Sequence, residues 1–308
     1  MTEGFDFNEA DIDVMLANLD SFSEEEVVEI DRMVDELSTR SKNKRAYDDL
    51  IEFCKLMMPD FIVGKHHRIL ADLLMGIESG EKDRICVNIP PRHGKSQLVS
   101  IFFPAWFLGR NPDKKVMMVS HTTDLAVDFG RKVRNLIALD DYRSIFPTVK
   151  LAQDSKSAGR WNTNVGGEYY ACGIGSALAG RGADLLLVDD PHSEQDVING
   201  NFSVFEKAYE WFTFGARTRL MPGGRVAIIQ TRWHLDDLTG RVVRDMGKNE
   251  RADQYEVVEF PAILEVVSKK TKKVTQKPLW PEFFDLEALL RTKASMPVFQ
   301  WNSQYQQQ

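Results

Sequence analysis

The feature that most limits this chain is an apolar run, Ile85-Cys86-Val87-Asn88-Ile89. It passes through Pro90-Pro91 into Arg92-His93-Gly94-Lys95-Ser96, and Leu98, Ile101 and Phe102 follow at helical spacing. A short β-branched run stopped by two prolines reads as a buried strand, and the spacing after Ser96 reads as a helix. Gly-Lys-Ser at such a junction suits phosphate capture. Loop N–H groups turn inward and the helix N-terminus adds the positive end of its dipole. The lysine reaches the outer phosphates, and the serine hydroxyl ligates Mg²⁺. The usual spacing G-x-x-x-x-G-K-[ST] places glycine at 89, where this chain has Ile89, so Pro90-Pro91 stiffen the loop instead. A Gly-Lys-Ser triplet also arises by chance; its place between strand and helix gives it weight.

A metal-bound triphosphate needs a second element. Leu185-Leu186-Leu187-Val188-Asp189-Asp190 is an apolar strand ending in two acids. This is the composition of a strand that delivers a carboxylate to the metal beside a phosphate loop. Asp189 is then the metal ligand, and Asp190 is placed to orient and deprotonate water. The plainer alternative is a strand that meets solvent at two acids. Further strands are expected at 116–120, 169–174, 226–231 and 255–260. Helices are expected at 46–57, 66–77, 123–139, 203–216 and 235–246. Strands alternating with helices imply an α/β fold, a mostly parallel sheet covered on both faces. The strand at 116–120 between the two motifs, with an acid after the metal-binding Asp, indicates a P-loop NTPase of the additional-strand, catalytic-acid type. It argues against a small-metabolite kinase. Gln230-Thr231-Arg232 ends another strand, where the Thr231 hydroxyl either senses the outer phosphate or makes a turn.

Charge divides the chain unevenly. Residues 1–39 hold thirteen Asp/Glu and one basic residue, Arg32, leaving 38 Lys/Arg against 33 Asp/Glu in the remainder. The acidic part has helical spacing through Ile12, Met15, Leu16 and Leu19, and again from Val27 to Leu37. Ser23 with Glu26 forms a capping-box pattern. We expect an acidic helical segment at 1–45, an ATPase core at 46–260 and a small lid subdomain at 261–308. The lid carries a basic loop or hairpin around Lys269, Lys270, Lys272, Lys273 and Lys277 and a helix at about 285–295. Its final glutamines read as the start of a linker. Three dispersed cysteines suit a reducing cytosol, and no apolar run approaches bilayer length.

Three blocks in order carry a resemblance. They are Asn88-Ile89-Pro90-Pro91-Arg92-His93-Gly94-Lys95-Ser96, Gly180-Arg181-Gly182-Ala183-Asp184-Leu185-Leu186-Leu187-Val188-Asp189-Asp190-Pro191, and Gln230-Thr231-Arg232-Trp233-His234-Leu235-Asp236-Asp237-Leu238-Thr239-Gly240-Arg241. Together they resemble the large terminase subunit of tailed bacteriophages, with similarity from about His66 to Gln307. The resemblance implies an ATP-hydrolysing, Mg²⁺-dependent motor that moves double-stranded DNA into a procapsid. Its implied partners are the portal protein, the small terminase subunit and further copies of itself in a pentameric ring. Its implied location is the host cytoplasm at the procapsid portal, not the mature virion. It also assigns roles. Pro91, Arg92, His93, Gly94, Lys95, Ser96 and Gln97 form the phosphate loop. Ser96 and Asp189 hold the metal, Asp190 is the catalytic carboxylate and Thr231 belongs to the coupling motif. Arg92 lies where some members carry a loop arginine. Arg181 lies where a neighbour-directed arginine finger occurs; its plainer role is a salt bridge with Asp184. His67 aligns roughly with an adenine-reading Gln, or is an ordinary helix residue.

The family's nuclease domain has no counterpart we can read in this chain, so ATP hydrolysis and DNA grip are expected without cleavage. Basic candidates for that grip are 269–273, Arg217 and Arg219. A helicase would need a second RecA-like domain, for which too little chain follows residue 260. A nucleotide-gated scaffold that never hydrolyses is argued against by Asp189-Asp190. His234, Asp236 and Asp237 look like helix caps, and Trp106, Trp161, Trp211 and Trp233 like core or subdomain contacts.

Overall fold

The computed structural model describes residues 22–308 except 156, 199, 201, 268–271 and 273. Seven strands form the main sheet: β1 (Arg84–Asn88), β2 (Lys115–Ser120), β3 (Arg160–Asn162), β4 (Glu168–Gly173), β5 (Ala183–Asp189), β6 (Leu220–Gln230) and β7 (Glu256–Glu259). Their order is β3-β4-β2-β5-β6-β1-β7, parallel throughout except for β3 against β4. β6 therefore lies between β1 and β5, and the phosphate-loop strand and the acidic strand flank it.

Alternation along each strand builds two cores. Ile85, Val87, Val116, Met118, Leu185, Leu187, Ala227 and Ile229 face one side. They meet α1 (Glu24–Asp48), α2 (Leu50–Met57), α3 (Lys65–Ser79), α4 (Phe103–Arg110), α5 (Thr123–Ile137) and α6 (Asp140–Ile145). Cys86, Met117, Val119, Leu186, Val188, Val226 and Ile228 face the other. That side carries α7 (Glu194–Ile198), α8 (Ser203–Glu210), a π-helical turn (Trp211–Ala216) and α9 (Leu238–Lys248). Leu185 to Val188 are all fully buried. Each such side chain stabilises the fold by about 1.5–3 kcal/mol. A strand buried on both faces must be apolar at every position, which is why this one reads as a continuous run.

Two N-terminal boundaries differ from the sequence reading. The Ser23–Glu26 capping box forms, but α1 runs through the basic patch to Asp48, and Ala46 is buried in the core. The chain breaks only at Asp49, whose extended backbone and side chain cap α2. The apolar positions 12–19 lie outside the described residues. Ser96 is followed by a π-helical turn (Gln97–Phe102) rather than an α-helix, with the Phe103 N–H donating to the Leu98 carbonyl. Pro104, which has no N–H to offer the Ser100 carbonyl, explains the shift in hydrogen bonding.

After β7 the chain forms an antiparallel hairpin, β8 (Ile263–Val267) with β9 (Val274–Pro278), then α10 (Leu286–Ala294) and α11 (Val298–Gln306). Ala262, Ile263, Leu289 and Trp301 make a separate small core. Lys269, Lys270 and Lys273 lie outside the described residues, whereas Lys272 is exposed. The glutamines are not a linker. Gln306 donates to and accepts from the Ile263 backbone, and Ala262 donates to the Tyr305 carbonyl. Gln307 is 2% exposed and closes α11 in a left-handed conformation. Polar side chains at 306–307 thus complete backbone hydrogen bonding that hydrophobic patterning does not reveal. Among the described residues no helix is long and apolar enough to cross a membrane.

Candidate functional site

The parallel strands β1, β5 and β6 end together, and the sequence-selected residues gather at that edge. The loop after β1 carries Lys95 back across the strand ends. Its Nζ lies 2.7 Å from Asp190 Oδ2, and Lys95 is only 7% exposed. Burial disfavours the lysine charge, but the Asp190 and Asp189 carboxylates outweigh it and raise its pKa. The Asp190 Oδ1 accepts from the Thr231 N–H at 3.0 Å, and the Thr231 hydroxyl donates to the Ile89 carbonyl at 3.2 Å. Thr231 therefore joins the entrance of the phosphate loop to the acid.

Asp189 is 1% exposed. Its Oδ2 accepts a 2.6 Å bond from Ser100, whereas its Oδ1 is buried without a partner. Burial pushes the Asp189 carboxyl up to about 6. The Asp190 charge adds to this, and Lys95 with the Ser100 and Ser96 hydroxyls opposes it. A lone buried carboxylate oxygen beside a serine hydroxyl fits the oxygen-donor set of Mg²⁺. Sequence reading missed Ser100. The available signal was its spacing of four from Ser96, which places both on one helical face.

Two non-glycine residues at the site are left-handed: Arg92 with φ 63° and Asp190 with φ 45°. Strain of this kind, of order 1–3 kcal/mol each, concentrates at functional sites. Gly94 is left-handed as well, with φ 78°, and a Cβ there would lie 2.2 Å from His67 Nε2. Glycine is required for both reasons. Arg92 is exposed, and Gln97 points its amide towards the Met58 sulfur.

His67 departs from its expected role. It is fully buried, its Nδ1 accepts from the Gly64 N–H, and its Nε2 donates to the His93 carbonyl at 3.0 Å. With both nitrogens occupied inside the protein, it braces the loop from behind and does not present itself to a base. His66 also bonds the His93 carbonyl through Nε2 at 3.0 Å. The His93 ring donates to the Pro91 carbonyl and stacks on Phe284. Burial holds these rings neutral, pushing His67 down to about 3 and His93 to about 4. Trp280 packs against both His66 and His67, so the loop rests on the C-terminal hairpin region. Beside His66 an apolar cleft of about 450 Å³ opens, walled by Ile69, Phe260, Leu264 and Leu279.

Beyond Thr231, Arg232 pairs with Asp237 at 2.8 Å. Asp237 caps α9, and His192 Nε2 accepts from the Leu238 N–H. The Arg232 N–H donates to the Gln307 side chain at 3.3 Å. A chain of bonds thus runs from Asp190 to the C-terminal helix. His192 and Gln307 have no sequence signature. Asp236 pairs with Arg244 at 2.6 Å, and among the described residues no three His, Cys, Asp or Glu are grouped to hold a metal.

Arg181 lies elsewhere. It precedes β5, and seven strand residues at about 3.3 Å each separate that end from Asp190 by over ~20 Å. It is partnered by Glu168 at 3.4 Å and lies over the Tyr170 ring, while Asp184 instead accepts from the Lys115 N–H. Arg217, one of the cations expected to grip DNA, makes a half-exposed bidentate pair with Asp253. Trp106 and Trp161 are core residues bonded to the Ala46 and Gly130 carbonyls.

The family model for the N-terminal part of the terminase large subunit, T4-like-virus type, matches residues 86–294. Among solved structures, the HK97 bacteriophage large terminase aligns at 12% identity and TM-score 0.51, covering 85% of this chain and 54% of that one. A point variant of the Thermus phage P74-26 large terminase ATPase domain aligns at 17% identity and TM-score 0.46, covering 76% and 91%. The large terminase of the thermophilic bacteriophage D6E, in complex with ATP-γ-S, aligns at 11% identity and TM-score 0.47, covering 78% and 51%. The chain spans about half the length of the HK97 and D6E proteins. No curated protein gives a sequence match.

Proposed function

The chain belongs to the terminase large-subunit family, and from that premise we propose that it hydrolyses ATP to drive double-stranded DNA into a procapsid. The observation that carries the reading is the Lys95–Asp190 contact at 2.7 Å, with Asp189 one residue away and its Oδ1 unpartnered. These are the charges a metal–triphosphate needs, held together at the ends of β1 and β5.

In the mechanism, loop N–H groups and Lys95 bind the β- and γ-phosphates, and the cleft beside His66 takes the base. Ser96 and Asp189 would hold Mg²⁺, which would supply neutralisation of charge on the phosphate oxygens. When the phosphates claim Lys95, the Asp190 Oδ2 is released to accept a proton from water. That water forms the new P–O bond to the γ-phosphorus as the bond to the β-bridging oxygen breaks, giving ADP and phosphate. Thr231, bonded to Asp190 through its N–H, passes the change to Arg232 and Gln307. Arg181, remote from its own site, acts on a neighbouring copy in a ring assembled on the portal.

Substituting Lys95→Ala or Asp190→Asn tests the assignment. Each should lower ATP turnover at least ~100-fold, and wild-type turnover in either variant would overturn it. A strand-separation assay tests the helicase alternative, and incubation with plasmid DNA tests the expectation that this chain does not cut.

A further inference from the structure

We propose that Ser100 is a positioning residue for the metal-binding carboxylate, resting on the reading of Asp189 as the Mg²⁺ ligand. Three observations carry it. Ser100 is fully buried, and its hydroxyl donates to Asp189 Oδ2 at 2.6 Å, a short charge-assisted bond. The opposite oxygen, Oδ1, is also buried and has no donor. Lys95, the nearest cation, is engaged by Asp190 instead. The carboxylate is therefore fixed by one oxygen and left open at the other.

The local backbone explains why a residue at this place can do so. The π-helical turn (Gln97–Phe102) begins directly after the metal-binding Ser96, and Ser100 sits within it. Ser96 and Ser100 then address one carboxylate from successive turns. A carboxylate free to rotate would present either oxygen, or share both with Ser96. A donor on Oδ2 selects the rotamer in which Oδ1 meets the cation. Such outer hydrogen bonds commonly govern metal affinity by 10–100-fold.

Calorimetric titration of the full chain with ADP, with Mg²⁺ and again in EDTA, tests this. In Ser100→Ala and in Ser100→Cys, which keeps the volume but donates weakly, Mg²⁺-dependent tightening should fall at least 10-fold. Affinity in EDTA should stay within about twofold of wild type. Either variant that retains the wild-type melting temperature decides the matter. Wild-type Mg²⁺ dependence in that variant overturns the role of Ser100, provided Asp189→Asn abolishes it. If Asp189→Asn leaves Mg²⁺ dependence intact, the metal assignment itself falls and this proposal with it.

Discussion

The two edges of the parallel sheet handle charge in opposite ways. At the edge where strands begin, ionic groups are matched. Asp253 takes Arg217 and Arg84, Glu256 takes Lys82, Glu168 takes Arg160 and Arg181, and Asp184 takes Lys114. This edge is not free of unpaired groups either: the Nε atoms of Arg84 and Arg219 and the hydroxyls of Tyr169 and Tyr255 are buried without a hydrogen-bond partner. At the edge where strands end, several buried polar atoms have no hydrogen-bond partner. Asp189 Oδ1, both side-chain atoms of Gln230, the Ser120 hydroxyl and ring nitrogens of His93, His121 and His192 have none. Left-handed Arg92 and Asp190 are there as well. Unsatisfied groups of this kind each cost about 1–3 kcal/mol. Ion pairs dominate one edge, whereas left-handed residues and an unpartnered carboxylate oxygen concentrate at the other.

Arg181 is the sharpest test of that division, because it belongs to the matched edge by position and to the reaction by proposed role. Arg181→Ala should reduce turnover of assembled rings about 1000-fold or more with little loss of stability. Mixing it with Lys95→Ala protein should restore part of the activity, since each variant supplies what the other lacks. A mixture as inactive as its components would return Arg181 to the structural edge.

The next effect is on stability. His67, His93 and His192 have pKa values lowered by burial to about 3, 4 and 4 from an ordinary 6.5. Below pH 6.5 the unfolded chain takes up protons that the folded chain refuses, so stability falls with acidification from 6.5 towards 4. Asp189, raised to about 6 from 3.8, works the other way: the folded chain gains relative stability as pH drops through 6 to 3.8. Three histidines against one carboxyl leave a net loss of a few kcal/mol by pH 4.5. Thermal melting from pH 7.5 to 4.5 reads it, and a constant or rising midpoint would contradict the buried neutral rings.

Least affected should be Arg217→Ala. Its pair with Asp253 is half exposed at the arginine, so about 0.5 kcal/mol and unchanged turnover are expected in melting and ATPase assays. A collapse of activity there would erase the contrast between the edges.

How much of this was legible in the sequence follows from the same contrast. Strands buried on both faces must be apolar throughout, so β1, β2 and β5 stood out. Gly94-Lys95-Ser96 and Asp189-Asp190 were picked out because their residue types suit phosphate and metal chemistry, and they lie together. Groups that act through one hydrogen bond left no pattern. Ser100 is one serine among many, His192 and Gln307 reach their partners across 46 and 75 residues, and His67 could be read from sequence either as a base-facing residue or as an ordinary helix residue, a choice that turns on its bonds to Gly64 and His93. The boundary near residue 45 was read from charge, whereas the helix there is set by the burial of Ala46 and the cap at Asp49.

The contact between Lys95 and Asp190 bears on which substitutions this edge can tolerate. Lys95 is almost wholly buried and Asp190 is its ion-pair partner, so each charge stands in for the water the other has lost. Removing one of them strands the other, whereas removing both leaves no uncompensated charge, and the two positions are therefore tied to each other by electrostatics as firmly as by their place at the strand ends.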